Sequence, residues 1–338
     1  MPELRKDPIV GRWVIIATER ARRPGNFVDT AVHTTDDKDC PFCHDQESRE
    51  VYALRDANNP QGAWKVRVVE SGTPLFDGSG SVRRRGHGLY DVCDSFGAHE
   101  VVIETPEHIA NMADLSVEQI KNVFATYALR IDHHRKNPDF QYALAYKNYG
   151  KAAGSRLIGH ARSQIMATPV NPIRVKDKIS GAKKYYEYHE RCLFCDLIRQ
   201  ENRSPERVVV ETQQFLAITP FAPRFPFEVW VLPKRHACDF AQGVAGYEHD
   251  LAKMMKELLL RIKVGLDDPA YNYVIHTAPF KMDNSDGVKY LTMEQDYHWH
   301  MEVMPRLTRV AGFEKGTGFY ICPIPPENTA RFLREVKI

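Results

Sequence analysis

The chain lacks a dominant charge: 46 lysines and arginines stand against 44 aspartates and glutamates. Proteins that hold nucleic acid by neutralising many phosphates carry an excess of cations, so this balance disfavours a general polyanion binder. Long hydrophobic runs are missing too. No stretch of about 18 apolar residues occurs, which excludes a helical membrane span. The opening MPELRKDPIV has no apolar core of a secretory leader. A disulfide framework is also not indicated, because seven cysteines (Cys40, Cys43, Cys93, Cys192, Cys195, Cys238, Cys322) are an odd count in a long, charged chain. Together these absences lead to the expectation of a soluble, cytoplasmic protein. Its 338 residues suffice for about two domains.

What the sequence does have is internal repetition. CPFC at Cys40–Cys43 recurs as CLFC at Cys192–Cys195, and EVVIETPEH (Glu100–His108) recurs as EVWVLPKRH (Glu228–His236). Each of the longer segments is an apolar, β-branched run ending in a turn, which reads as a strand. A helical segment follows each one. In the first, Ser116 and Gln119 have capping-box spacing, and Ile120, Phe124 and Leu129 are placed on one face. The second runs from His249 to Leu266. QYALAYKNYG (Gln141–Gly150) then matches YNYVIHTAP (Tyr271–Pro279), and HARSQIMATP (His160–Pro169) matches HWHMEVMPR (His298–Arg306). The order strand, strand, helix, strand, strand predicts an α+β fold, an antiparallel sheet with a packed helix, present twice. The boundaries expected are 1–175 and 176–338. Val170–Glu190, rich in lysine and tyrosine, is the join, and the stretches through Asn26 and from Arg309 lie outside the repeated core.

Each repeat carries a Cys-x-x-Cys knuckle and two histidines at matched landmarks. Zinc takes thiolate sulfur and imidazole nitrogen in tetrahedral sites, often with such a knuckle supplying two ligands. The expected ligand sets are therefore Cys40, Cys43, His108 and His160 for one ion, and Cys192, Cys195, His236 and His298 for a second. Four protein ligands make a closed, structural site. A buried or redox-active cysteine pair is the plainer reading, and the duplication weighs against it. A nucleic-acid zinc ribbon would require a second cysteine pair nearby and a basic face. His276 is a further candidate ligand, ranked below the cysteines.

LRKDPIVGRWVIIATERARRP, CPFC, ETPEH, PFAPRFPFEVWVLPKRH, DYHWHMEVMPR and AGFEKGTGFYICP resemble the galactose-1-phosphate uridylyltransferase family of the histidine-triad superfamily over nearly the whole chain. The branch with ADP-glucose phosphorylase-like proteins is the nearest in pattern. The resemblance implies two tandem histidine-triad-like repeats per subunit, two zinc ions and a homodimer. It also implies transfer of a nucleotidyl group through a histidine, between a nucleotide sugar and a sugar 1-phosphate or phosphate. Neutral imidazole is a competent nucleophile near pH 7. By match to the motifs, Arg20 and Arg23 would bind nucleotide phosphates and Gln164 would support the transferring phosphoryl group. Asn148 would line the nucleotide pocket, and Glu314 would contact a sugar hydroxyl.

The pattern breaks at the nucleophile. The family motif His-x-His-x-Gln reads His160-Ala161-Arg162-Ser163-Gln164 here. A guanidinium stays protonated and has no lone pair for attack, though it binds phosphate well. The preceding loop puts Leu157 where a serine normally faces phosphate. Ser71 replaces an asparagine usual in the nucleotide pocket, and Cys322 replaces another common in the related branch. In the second repeat His300 stands opposite Arg162, and Glu302 opposite Gln164. His300 is thus a chemically competent second candidate nucleophile, with structural packing as the rival role. Three function classes follow. The leading one is a nucleotidyltransferase acting on UDP-hexose, with adenylyl transfer as its rival. The others are a non-catalytic nucleotide or sugar-phosphate binder with Arg162 as an anion clamp, and a zinc-dependent nucleic-acid module, which the neutral charge disfavours.

Overall fold

The computed structural model describes residues 2–19, 37–44, 49–56, 58–78, 80, 82–155, 159–281 and 289–338. Strands β1 (Glu3–Lys6) and β2 (Trp13–Ile16) open the chain. The first half supplies β3 (Glu50–Asp56), β4 (Asn59–Glu70), an exposed hairpin of β5 (Arg84–His87) and β6 (Tyr90–Cys93), then β7 (Ala98–Ile103), helix α1 (Val117–Arg135), β8 (Tyr142–Tyr149) and β9 (Arg162–Thr168). Helices α2 (Ile173–His189) and α3 (Leu193–Arg203) lead into the second half. That half holds β10 (Val208–Glu211), β11 (Phe215–Ile218), β12 (Val229–Pro233), α4 (Phe240–Val244), α5 (Glu248–Gly265), β13 (Tyr271–His276), α6 (Met293–Asp296) and β14 (His300–Pro305). The chain ends on α7 (Gly312–Thr317), β15 (Tyr320–Cys322) and α8 (Pro326–Glu335).

Ten of these strands form one antiparallel sheet in the order β10-β11-β12-β14-β13-β8-β9-β7-β4-β3. The order is a palindrome of the two halves, which meet where β8 pairs with β13 from Tyr149↔Tyr271 to Ala145↔Ile275. The two repeats therefore share a sheet. Each half contributes three strands of this sheet before its helix, one more than the matched motifs indicate. The extra pairs differ in length, with 12 residues in β4 against 4 in β11, so they leave no matched pattern.

One face of the sheet is covered by α1 and α5. Ile120, Val123, Phe124, Tyr127 and Ile131 of α1 are buried there with Leu251, Met255, Leu258 and Ile262 of α5. Ser116 caps α1 by accepting from the Gln119 amide at 3.1 Å. The Gln119 side chain does not close the capping box, because it donates instead to the carbonyls of Lys65 and Glu104. Leu129 is 51% exposed, contrary to its expected place on the core face. Five residues from Phe124 is about 140° beyond a whole turn, which carries it off the stripe.

The opposite face differs between the halves, and this difference positions the site. Over the second half α2 and α3 bury Val175, Ile179, Ala182, Phe194 and Ile198 against Leu216, Ile218, Trp230 and Leu232. The stretch expected as a join is thus a packed helix. Over the first half, alternate side chains of β8 and β9 on this face remain half-exposed. A three-stranded sheet of β1, β2 and β15 flanks the second half. The β1–β2 turn lies so close to α2 that a Cβ on Gly181 would sit 1.7 Å from the Ile9 carbonyl oxygen. No helix among the described residues is long and apolar enough to cross a membrane.

Candidate functional site

Two cysteine–histidine clusters sit at matched ends of the sheet. Within each set, Cys40, Cys43, His108 and His160, or Cys192, Cys195, His236 and His298, one donor atom per residue lies within 4.8 Å of every other. In the first cluster His160 Nδ1 is 3.5 Å from both Cys40 Sγ and Cys43 Sγ, and His108 Nδ1 is 3.3 Å from Cys43 Sγ. In the second, the sulfur–nitrogen distances are 3.4, 3.7 and 3.9 Å. A tetrahedral zinc with sulfur at about 2.3 Å and nitrogen at about 2.0 Å would separate those atoms by about 3.5 Å. The donor sets fit such an ion.

The hydrogen bonds on the far side of the imidazole rings fit it as well. His160 Nε2 donates to the Thr105 carbonyl at 2.8 Å, His298 Nε2 to that of Pro233 at 2.9 Å, and His236 Nε2 to that of Glu294 at 2.9 Å. Each bond leaves the proton on Nε2 and the Nδ1 lone pair facing the sulfurs, the arrangement a metal-bound imidazole uses. Burial holds His160 down at about 4, so this imidazole is neutral. In the Cys192–Cys195 pair the sulfur of Cys192 and then His236 and His298 pull Cys195 down, while Cys195 and burial push Cys192 up, so the pair favours one thiolate, on Cys195.

Beside the first cluster, the half-exposed face gathers polar side chains from three adjacent strands. Period-2 alternation sends Arg162 and Gln164 outward from β9 and Ser163 and Ile165 inward. Tyr146 pairs with Gln164 across β8 and β9. The Arg162 guanidinium donates to Ser155 Oγ at 2.9 Å and to the His160 carbonyl at 3.4 Å, and it lies 5.9 Å from the Phe42 ring centre. Gln164 Oε1 accepts from Tyr146 Oη at 2.8 Å and faces His99 Nε2 at 2.8 Å. Asn148 Oδ1 accepts from Asn272 Nδ2 at 2.7 Å, across the junction between the halves.

This face is braced from behind. Lys147, fully buried, donates to Glu104 Oε2 at 2.7 Å and to the carbonyl of Arg162 at 3.0 Å. Burial lowers its ammonium, opposed by Glu104. Tyr127 Oη donates to Ser163 Oγ at 2.5 Å. A cleft of about 760 Å³ adjoins the site, lined by Ser71, Leu75, Phe76, Asp77 and His99 among others. Its floor comes close to the sheet only because residue 97 is glycine, since a Cβ there would lie 2.6 Å from the Ala167 carbonyl.

The second half places the corresponding residues out of reach. His300 is wholly buried under α2. Its Nδ1 donates to the His298 carbonyl at 3.0 Å, and its Nε2 lone pair accepts from Lys178 Nζ at 2.8 Å. Burial, with Lys178 beside it, holds His300 well below its usual range. Glu302 is ionised despite burial, because Arg224 at 2.5 Å and Lys178 at 2.6 Å outweigh the desolvation. His276, His300 and Glu302 also lie within metal-ligand reach of one another. The Lys178 ammonium already supplies the cation between His300 and Glu302. His300 thus has no open lone pair for a substrate, and its geometry is that of packing.

Models of the galactose-1-phosphate uridyl transferase N-terminal and C-terminal domains match residues 1–172 and 178–322. The chain belongs to this family. It is 35% identical to the ADP-glucose phosphorylase of Arabidopsis thaliana over 341 residues, covering 100% of this chain and 93% of that one. It is 29% identical to the galactose-1-phosphate uridylyltransferase of Thermotoga maritima, covering 100% and 99%. Among solved structures, the Arabidopsis ADP-glucose phosphorylase with bound ADP-glucose superposes with a TM-score of 0.84 at 33% identity, over 100% of both chains. A uridylyltransferase structure superposes at 0.74 with 27% identity, covering 99% and 97%.

Of the candidate ligand-binding residues, Arg162, Gln164 and Asn148 share the open face of this family member. Arg20, Arg23 and Leu157 lie outside the described residues. Glu314 is elsewhere, in a groove of about 610 Å³ with Pro2, Ile15 and Phe313. There its carboxylate accepts from the amides of Ala311 at 2.8 Å and Ile321 at 3.2 Å. Ser71 lines the cleft, whereas Cys322 is buried with Val14, Ile16 and Ala222. His99 and Tyr146 escape the motif reading. In the register of the sheet, where Val101 faces Gln164 and Trp230 faces Glu302, His99 stands opposite Glu228 of the second half, so no apolar-to-polar change marks it.

Proposed function

We propose that the chain binds a nucleotide sugar on the open face of its first half, as a nucleotidyltransferase-like protein in which Arg162 clamps phosphate instead of attacking it. The observation that carries this reading is the pairing of Arg162 with Gln164 beside the cleft. A guanidinium offers several fixed donors and no nucleophilic lone pair. In this proposal the cleft seats the nucleoside, Arg162 and the Gln164 amide meet the phosphates, and Asn148 lines the junction. Arg20, Arg23 and Glu314 stay in the proposal as phosphate and sugar contacts on the strength of the family motifs. The second ligand is a sugar 1-phosphate or inorganic phosphate, the nominal acceptor in uridylyl transfer between UDP-hexose and hexose 1-phosphate, a transfer that Arg162 cannot carry through a covalent intermediate.

Adenine nucleotides form the second reading, favoured by the 35% identity to an ADP-glucose phosphorylase. We assign two zinc ions per chain to the cysteine–histidine clusters, in structural roles. A cytoplasmic homodimer belongs to the same proposal by family resemblance, and light scattering tests the dimer.

Calorimetry with UDP-glucose and ADP-glucose, alongside intact-mass analysis, tests the function. Binding of one or both without a covalent adduct is expected. A nucleotidyl adduct mapped to any residue, or no binding of either compound, overturns the reading.

A further inference from the structure

The hydrogen bonds around Gln164 carry an inference about its orientation, resting on the phosphate-site reading above. A backbone amide can only donate. The Leu75 amide is 3.3 Å from His99 Nδ1, so Nδ1 must be the acceptor nitrogen and Nε2 must carry the proton. His99 Nε2, 2.8 Å from the Gln164 side chain, can then only donate, and the atom it meets must be the carboxamide oxygen. Tyr146 Oη donates to the same oxygen at 2.8 Å. Two donors on Oε1 leave the Gln164 NH2 group as the edge free for a ligand. Among the described residues no protein acceptor takes it.

We propose that His99 is a positioning residue that turns the Gln164 carboxamide so that its NH2 edge, with the Arg162 guanidinium, presents donors to a ligand phosphate. The Leu75 amide, in the wall of the cleft, sets the imidazole tautomer on which that orientation depends. A glutamine free to flip would offer phosphate its oxygen about half the time, and two facing acceptors repel. The same relay links the cleft wall to the anion site. A ligand that shifts the Leu75 loop would therefore loosen Gln164, which couples recognition of the nucleoside to recognition of its phosphates.

The test compares His99→Gln, His99→Asn, His99→Phe and Arg162→Ala by calorimetry with ADP, UDP and the parent nucleosides. His99→Gln keeps an N–H donor where Nε2 stood and should hold diphosphate affinity within about threefold of wild type. His99→Phe and His99→Asn remove that donor and should weaken diphosphate binding about tenfold, the scale of one charge-assisted bond. Because His99 also lines the cleft, the loss is read as diphosphate affinity relative to that of the parent nucleoside, and thermal unfolding should separate loss of the donor from loss of the fold. Nitrogen NMR of wild type should find His99 protonated on Nε2 alone. A proton on Nδ1, or full diphosphate affinity in both His99→Phe and His99→Asn while Arg162→Ala is impaired, sinks the relay and leaves the phosphate site standing. Unimpaired Arg162→Ala sinks the phosphate site itself.

Discussion

At Arg162 a fixed cation stands on an open strand face, half-buried and already oriented by Ser155 and Phe42. Such preorganisation makes it a better anion ligand than a mobile surface arginine, because little side-chain entropy is left to lose. Arg162→Ala should weaken nucleotide-sugar binding by about 1.5–3 kcal/mol, and Arg162→Lys should recover only part of that, since an ammonium cannot bind in bidentate fashion. Calorimetry measures both. Arg162→His restores an imidazole beside Gln164, and mass analysis with UDP-glucose or ADP-glucose would report any adduct it forms. At this scale a motif named Gln164 and Asn148, and the strand alternation puts both on the open face. The sequence was silent on His99 and Tyr146, whose roles arise only from strand register. Tyr146 faces Gln164 in the first half, and the same cross-strand position opposite Glu302 is held by Val274 in the second.

Helix α2 decides which half is open. Its Val175, Ile179 and Ala182 stripe seals the second-half face, and Lys178 in the same stripe reaches into the sheet to His300 and Glu302. The lysine-rich composition of this segment suggests a linker, while the i, i+4, i+7 spacing of its apolar residues is what the packed structure uses. Lys178→Ala removes one partner of a buried ionic network and should destabilise the protein by about 3 kcal/mol, with Arg224 still neutralising Glu302. Lys178→Met, which keeps the volume, should also leave Glu302 short of a partner but cost less. Denaturant unfolding checks the order. On β7, Glu100 is held down at about 2 although burial opposes it, because His134 and Arg130 favour the carboxylate. A lowered carboxylate adds stability that is complete above the ordinary range near 4.5 and is lost as pH falls towards 2. That contribution is on the order of 3 kcal/mol at neutral pH. Glu100→Gln should therefore be less stable at pH 7 and show a flatter acid transition, as read from thermal melts across that interval.

On the scale of the whole molecule, the two cysteine–histidine clusters look equivalent while the surfaces they support are not. Each ties a knuckle to a distant strand end, Cys40 to His160 across 120 positions and Cys192 to His298 across 106. Cross-links of that span should couple metal affinity to folding, so a chelator should lower the melting temperature and release about two zinc ions per chain. The duplication was readable from the sequence because the Cys-x-x-Cys knuckles and their histidines recur in type and order, whereas the cover over each face depends on helices that share no motif. The asymmetry appears in what each knuckle carries. Phe42, between Cys40 and Cys43, lies beneath the Arg162 guanidinium on the open face. Phe194, between Cys192 and Cys195, packs instead against buried His300, with ring centres 4.8 Å apart. Cys43→Ser and Cys195→Ser should each retain about one zinc ion and lose stability. Only Cys43→Ser should also weaken nucleotide-sugar binding, by about tenfold, because it frees the knuckle that seats Arg162. Metal analysis paired with calorimetry on both variants checks this. Equal loss of binding in the two would mean that the halves act as one cooperative unit, and unchanged binding in both would detach the clusters from the open face.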